Sequence, residues 1–429
     1  MSNRFIVDNK ITNEFVETYT KTTYRIVGNN KHTAIKPCHW LEQRLMTGRY
    51  NRNCYKGVFG VESHRCLQNT PSLPFCNHQC VFCWRDIEKG GLGSEFIVKP
   101  DDPKELIEEM IRHQQDIIKN HLPLRRYLDN YEIMIDLLHF MLKDNTEQNV
   151  NSLSKILQIS KNKIERAINL LKNQDFIKPT DDTLKNFRID EEISCCIDSR
   201  EEIETLINRE LTNPDDIMQT HSEAMFPNHA AISLDGEPLL YPMISDLVGE
   251  FRKRGMTSFI VTNGTLPEKL VQLDSLPSQL YLTLPAPNEK LYTKVCRPMI
   301  KNGWNRILTS LDLLESLSCR SLVRLTAVKE LNISENLIKD YIKLVEKANP
   351  NFFELKGFTL QAKALLINNR LKSDTPLQEY FPEYDYLEKI AHKFEVMGNF
   401  PLIYKNKASR DFLFAVNWEK SKDPVIRNP

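Results

Sequence analysis

The chain has no surplus of charge: 57 Lys and Arg stand against 57 Asp and Glu in 429 residues. This excludes a polycation that grips nucleic acid by net charge, so any such contact must come from local patches. No uncharged apolar run reaches membrane-spanning length, and the opening MSNRFIVDNK lacks the apolar core of a signal peptide. Both absences predict a soluble, cytoplasmic protein with no membrane partner. Disulfides are rare in a reducing compartment, so the ten cysteines are expected as ligands or buried thiols. The rest, 41% hydrophobic and 27% charged, is an ordinary globular balance. The length suits one large domain or two.

A fourth cysteine is also missing where one would be looked for. CNHQCVFC (76–83) holds Cys76, Cys80 and Cys83 as C-x3-C-x2-C, one ligand short of a closed tetrahedral site. Three thiolates can hold a [4Fe–4S] cluster by three irons and leave the fourth iron open, and an open position is what a catalytic metal site needs. The competing reading is zinc with His78 as fourth ligand, although His78 sits awkwardly inside the three-residue gap. Cys38, Cys54 and Cys66 precede the triplet, so six of the ten cysteines fall between residues 38 and 83. Core packing does not predict that crowding. Cys195, Cys196, Cys296 and Cys319 are scattered and read as small buried hydrophobes.

Strand-like segments at 229–238, 257–264, 279–287, 321–328 and 352–360 alternate with helical ones, including 101–115 with its Asp-Pro start. This rhythm predicts an α/β fold, a partial or complete parallel (β/α) barrel. Its chemistry should lie at the strand ends, where DGEP, TNGT and PAP fall. The rhythm is absent from 121 to 199. Three helices and two strand-like pieces there resemble a winged helix, which divides the chain into 1–120, 121–199 and 200–429. The 121–200 stretch carries 12 Lys and Arg against 13 acids, and only its third helix, with Lys161, Lys163, Arg166 and Lys172, is biased positive. It reads equally as a nucleic-acid-binding module or a protein-contact spacer. Cys195 and Cys196 are adjacent and cannot easily share one metal.

The cysteine triplet ahead of alternating strands and helices resembles the radical S-adenosylmethionine (SAM) superfamily. SLDGEPLLYP resembles its glycine-glutamate-proline motif. Three longer segments, 54–86, 229–265 and 292–307, closely resemble the 4-demethylwyosine synthases of tRNA wyosine biosynthesis, and the likeness covers roughly 30–118 and 200–345. The resemblance implies a radical SAM fold and SAM bound near Gly236, Glu237, Pro238 and Asn263. It implies two [4Fe–4S] clusters, one on Cys76, Cys80 and Cys83 and a second on Cys38, Cys54 and Cys66. Lys56 matches the lysine that acts on pyruvate. Near iron and other cations its ammonium form should be disfavoured, leaving an amine able to form a Schiff base. Taken alone, Lys56 also reads as a solvated or RNA-contacting residue.

The implied reaction is a lyase-class condensation of pyruvate with N1-methylguanosine in the anticodon loop of tRNA. No flavodoxin-like domain is present, so the resemblance calls for an external one-electron donor such as a flavodoxin or ferredoxin. Residues 21–66 carry nine Lys and Arg against two acids, interleaved with aromatics. Phosphate contact and base stacking would produce that pattern, and so in part would balancing an anionic cluster. A second basic run, 356–372, holds Lys356, Lys363, Arg370 and Lys372 and no acid. The sequence departs from the family at Pro285, where an aspartate is expected, and across 361–371. Two alternatives stay open: a radical SAM enzyme for another RNA base or substrate, and a metal-stabilised RNA-binding protein.

Overall fold

The computed structural model describes residues 5–21, 23–48, 53–85, 93–120, 122–144, 146–172, 176–180, 186–194, 197, 199–210 and 214–426. Cys195, Cys196, Arg49 and Arg52 lie outside them. The chain divides into two compact units: Met1–Cys38, Cys54–Gln114 and Phe226–Pro429 in one, His39–Asn53 and Gln115–Met225 in the other.

The first unit is built on six parallel strands: β1 (Cys66–Thr70), β2 (His229–Ile232), β3 (Thr257–Thr262), β4 (Gln279–Thr283), β5 (Arg320–Ala327) and β6 (Phe352–Gly357). They pair in that order. Antiparallel strands continue the sheet on both sides: Asp411–Ala415 and Leu402–Asn406 beyond β6, Thr33–Ile35 and Arg25–Val27 beyond β1. The two outermost strands do not pair with each other, so the barrel is partial and open. Strands β2 to β4 are buried on both faces, which is why they read as near-continuous apolar runs.

Helices cover the sheet with one apolar stripe each. Ile244, Leu247, Val248 and Phe251 are buried on helix Ile244–Lys253, and Ile338, Tyr341, Ile342 and Val345 on helix Ile338–Ala348. Both follow the i, i+3, i+4, i+7 spacing of an amphipathic helix. Helix Pro103–Lys119 is capped as its Asp-Pro start predicts, with Asp102 Oδ1 accepting the backbone N–H of Lys104 and Glu105 at 2.9 and 3.1 Å.

The second unit is wider than 121–199. It contains helices Leu122–Lys143, Val150–Leu157 and Lys161–Lys172 and a three-stranded antiparallel sheet in the order Gln148–Asn149, Asn186–Ile189, Ile177–Pro179. Met134, Leu137, Leu153, Ile164, Leu171 and Phe187 form its core. Three helices with a small sheet make the winged-helix-like arrangement. Helices His39–Thr47, Arg200–Glu210 and Pro214–Ala224 belong to the same unit.

Candidate active site

The cysteine loop leaves the end of β1 and is tied to segments far away in the chain. The Phe75 carbonyl accepts the Glu237 N–H at 2.8 Å, and Ser72 Oγ donates to the Glu237 carbonyl at 2.9 Å. Asn263 Nδ2 donates to Asn77 Oδ1 at 2.7 Å. The N–H groups of Gln79 and Val81 donate to the carbonyls of Cys296 and Val295, both at 2.9 Å. Arg370 donates from Nη1 to the carbonyls of Val81 and Cys83 at 3.1 and 2.6 Å, and from Nη2 to that of Arg85 at 3.2 Å. A loop that must present three thiols without a fourth ligand is thus held by its backbone.

Cys76, Cys80 and Cys83 line a cavity of about 220 Å³. Its other walls are the C-terminal ends of three strands, with Gly236 and Glu237 after β2, Asn263 after β3 and Pro285 after β4. Gly236 has φ +72°, and a Cβ there would lie 2.5 Å from the Ser72 carbonyl oxygen and 2.7 Å from that of Phe75. Glycine is required both by backbone conformation and by space. Glu237 is buried and fully engaged: Oε1 accepts from Thr262 Oγ1 at 2.7 Å and Leu239 N–H at 3.1 Å, and Oε2 from Asn263 N–H at 2.8 Å. Its carboxylate orders the cavity wall. Pro238 is buried at the first position of the turn that follows.

One buried cation faces the three thiols. Arg85 Nε lies 3.3 Å from Asp235 Oδ1, with both side chains buried. Burial opposes the charge on Arg85, but Cys76, Asp235 and Cys83 outweigh it and raise its pKa well above the ordinary value. Burial pushes the Cys76 thiol up to about 12 against the pull of Arg85 and raises Cys83 as well. The Cys80 thiol is raised first by its hydrogen bond with Cys296 and then by burial. Metal binding must therefore displace protons here, and Arg85 offers charge compensation to the thiolates that result.

The zinc reading turns on His78. His78 does not close a tetrahedron with the triplet. Its Nε2 is 2.8 Å from Tyr292 Oη, and its ligand atom groups instead with the sulfurs of Cys80 and Cys296. Cys296 is buried as expected and Cys319 is partly so.

Lys56 lies deeper in the same unit. It is buried in a short 3₁₀ turn, Tyr55–Phe59, directly after Cys54. Its Nζ stands over the rings of Tyr55, Phe259 and Tyr281 at 5.3, 5.6 and 5.7 Å. Phe259 and Tyr281 are two residues before Val261 and Thr283, which line the cavity. Side chains two apart share a strand face, so Lys56 occupies the layer of the barrel interior next to the cavity, about 7 Å along the strands. Burial lowers the Lys56 pKa, but Tyr55, Cys66 and Cys54 outweigh it against Arg324, and the net shift is upward. The expectation of a disfavoured ammonium is therefore reversed in the chain by itself, because its neighbours are thiols and a phenol. Cys38 and Cys54 are in turn charge neighbours of Cys66.

The basic stretches are less exposed than their composition suggests. Arg44 and Lys56 are buried, and Lys36 stands over the rings of Tyr24 and Trp84 at 5.0 and 5.4 Å. In the second run, Lys356 pairs with Asp411 at 2.7 Å and Arg370 is spent on the cysteine loop. These cations are spent on rings, carboxylates or backbone groups of the fold, while Lys21, Arg25, Lys363 and Lys372 of the same runs are exposed. Sequence reasoning missed Arg85, Asp235, Cys296 and Arg324 at the site. For the first two, adjacency to Cys83 and Gly236 was the available signal; Arg324 had none beyond a charge inside an apolar strand.

The comparisons with known proteins bear on all of this. Residues 195–342 match the radical SAM superfamily. The S-adenosyl-L-methionine-dependent tRNA 4-demethylwyosine synthase of Pyrococcus horikoshii is 36% identical over 374 residues, 86% of this chain and 81% of that protein. The synthase of Methanocaldococcus jannaschii is 26% identical over 93% of this chain and 95% of its own. The human TYW1 synthase is 28% identical over 81% of this chain, which spans 34% of its length. Among solved structures, TYW1 with a lysine-pyruvate adduct bound superimposes with a TM-score of 0.61 at 24% identity, covering 97% of this chain and 99% of that one. The crystal structure of archaeal TYW1 gives 0.56 at 23%, with the same coverage. At these identities the two structures speak for the fold.

Gly236→Ala tests the cavity wall. The added methyl meets two backbone carbonyls at a positive φ, so the expected cost is above about 1 kcal/mol, with loss of most of the iron that the Cys76 loop takes up in anaerobic reconstitution. Unchanged iron content and thermal midpoint would show that the wall is not held by this contact.

Proposed function

We propose the function from one premise: the chain belongs to the S-adenosyl-L-methionine-dependent tRNA 4-demethylwyosine synthases. It is a radical SAM enzyme that modifies tRNA, using SAM and an iron–sulfur cluster. Among the described residues no helix is long and apolar enough to cross a membrane.

Our finer reading is that it condenses N1-methylguanosine beside the anticodon with pyruvate to form 4-demethylwyosine, with electrons from a separate one-electron donor. Cys76, Cys80 and Cys83 hold the SAM-cleaving cluster, and Cys38, Cys54 and Cys66 hold a second one. When bound, the first cluster and SAM supply a carbon radical able to abstract hydrogen from a methyl group. The chain's own residues do the rest. Arg85 balances the thiolates' charge, Arg370 and the carbonyls of Val295 and Cys296 fix the loop, and Gly236, Glu237 and Asn263 shape the wall for SAM. Lys56 addresses the keto carbon of pyruvate, forming an imine with loss of water; this requires the ammonium to give up a proton first.

The observation that carries the reading is the placement of Lys56. It is a buried amine beside Cys54 and Cys66, one layer from the cavity that the other cysteine triad lines. The second unit, with Lys161 and Arg166 exposed on helix Lys161–Lys172, adds affinity for tRNA outside the anticodon loop.

Three measurements test this. Replacing Cys76, Cys80 and Cys83 with alanine should leave about four irons per chain, one cubane cluster; no iron, or zinc in its place, would sink the two-cluster reading. Lys56→Ala should still cleave SAM reductively yet make little tricyclic base, and borohydride should trap pyruvate on the wild type alone. Equal product from both proteins would leave Lys56 without that role. Substituting Lys161, Lys163 and Arg166 with alanine should weaken tRNA binding and flatten its log–log salt slope by up to about one per lost phosphate contact, with SAM cleavage unchanged. An unaltered slope would assign the second unit to protein contact.

A further inference from the structure

Beside Lys56 the barrel interior holds a second cation whose hydrogen-bonding capacity is not used up. Arg324 projects from β5 and is 8% exposed. Its Nε donates to Glu354 on β6, while its Nη2 is buried with no hydrogen-bond partner. The guanidinium carbon lies 4.8 Å from the centre of the Tyr55 ring and 4.6 Å from that of Tyr281. These are two of the three rings that Lys56 Nζ stands over. The Tyr281 hydroxyl is fully buried and also lacks a partner. Two donors, each costly to leave unsatisfied in a buried setting, thus share a cage with the amine.

The surrounding charges are otherwise committed. Lys356, 4.3 Å from the Tyr55 ring centre, is paired with Asp411 at 2.7 Å, and Glu354 balances the single charge of Arg324. Among the described residues no carboxylate is paired with Lys56, so the cage keeps a positive excess. Arg320 on the same strand also has unpartnered nitrogens. It stands over Phe59 and Phe352, however, four residues toward the start of β5, and shares no ring with Lys56.

We propose that Arg324 Nη2 and the Tyr281 hydroxyl bind the carboxylate of a short 2-oxo acid whose keto carbon faces Lys56. A carboxylate accepts from both donors at once, and a charge-assisted bond from arginine is the stronger of the two. In a 2-oxo acid the keto carbon is bonded to the carboxylate carbon, so anchoring one places the other. The aromatic walls of Tyr55, Phe259 and Tyr281 select a small apolar third substituent. The proposal rests on Lys56 engaging pyruvate, and it adds the residues that recognise the acid group.

The test is borohydride trapping on anaerobically reconstituted protein over a concentration series of pyruvate and of its neutral amide, pyruvamide. The wild type should half-saturate with pyruvate at a concentration at least about tenfold below pyruvamide, the gain expected of one charge-assisted contact. Arg324→Gln should raise the pyruvate value about tenfold or more and leave the pyruvamide value within about twofold. Arg324→Lys should recover part of the preference, and Tyr281→Phe should reduce it without touching charge. Equal rises for both compounds would mean that Arg324 only supports the fold, and that overturns the proposal; so does a wild type that traps both equally well. If Arg324→Gln does not fold, the wild-type preference and Tyr281→Phe still decide. No trapping on the wild type at all would instead bring down the reading of Lys56 itself.

Discussion

The hydrogen bond from the Glu237 N–H to the Phe75 carbonyl, 2.8 Å long, joins the loop that carries Cys76, Cys80 and Cys83 to the wall that faces them. It forms only because Gly236 has no side chain to push the two backbones apart. Glu237 then turns its carboxylate onto the end of β3, taking N–H and O–H donors from Asn263 and Thr262, and Asn263 reaches back to Asn77 in the cysteine loop. The result is a closed circuit of hydrogen bonds running through β2, β3 and the loop. The links are buried or part-buried, so breaking one leaves a poorly solvated polar group. An open-coordinated metal site needs this kind of support, since a missing ligand is a missing crosslink.

The same unit then solves a charge problem. Of the six thiols in the two triads, Cys66, Cys76 and Cys83 are raised chiefly by burial and Cys80 first by its hydrogen bond with Cys296, and any thiol that takes a metal must give up its proton. Arginine and lysine side chains stand next to them: Arg85 beside Cys76 and Cys83, Lys56 beside Cys54 and Cys66. The positive bias of residues 21–66 is partly this compensation turned inward. The upward shift of Lys56 is the same interaction seen from the lysine, for negative charge on Tyr55, Cys66 or Cys54 favours its ammonium.

The sequence made the five strands from β2 to β6 legible because they are apolar and regularly spaced. It hid β1, CLQNT, because a strand with a cysteine, a glutamine and an asparagine has no apolar signature. Its identity comes from parallel pairing with β2, a contact 163 residues away by the register Cys66 to His229. The flanking antiparallel strands are apolar enough but only three to five residues long, and they fall outside the strand–helix alternation. The cysteine triplet and GEP were readable as motifs, but their division of labour was not. No spacing rule announces that Glu237 would be consumed by backbone donors, or that Arg370, in a segment that looked merely atypical, would clamp three carbonyls of the loop.

The two departures from the family pattern therefore carry different weight. The 361–371 segment keeps a structural role, because Arg370 braces the cysteine loop and the Lys363 N–H bonds the Trp84 carbonyl at 3.2 Å. A change of residue type there is compatible with the same cavity. Pro285 is a change in the cavity itself, where it lines the wall and offers its carbonyl to Asn332 Nδ2 at 2.9 Å. It brings no ionisable group. The acids that remain at the wall are Glu237, whose oxygens are taken, and Asp235, held by Arg85 and pushed up to about 6 by burial. Whatever polar recognition an aspartate would provide at Pro285 falls to neutral groups such as Ser233, Asn263 and Thr283 and to the charge of Arg85, all of which line the same cavity. Fixed positive charge thus stands at both cysteine triads, with Arg85 at the cavity and Lys56 and Arg324 one layer away.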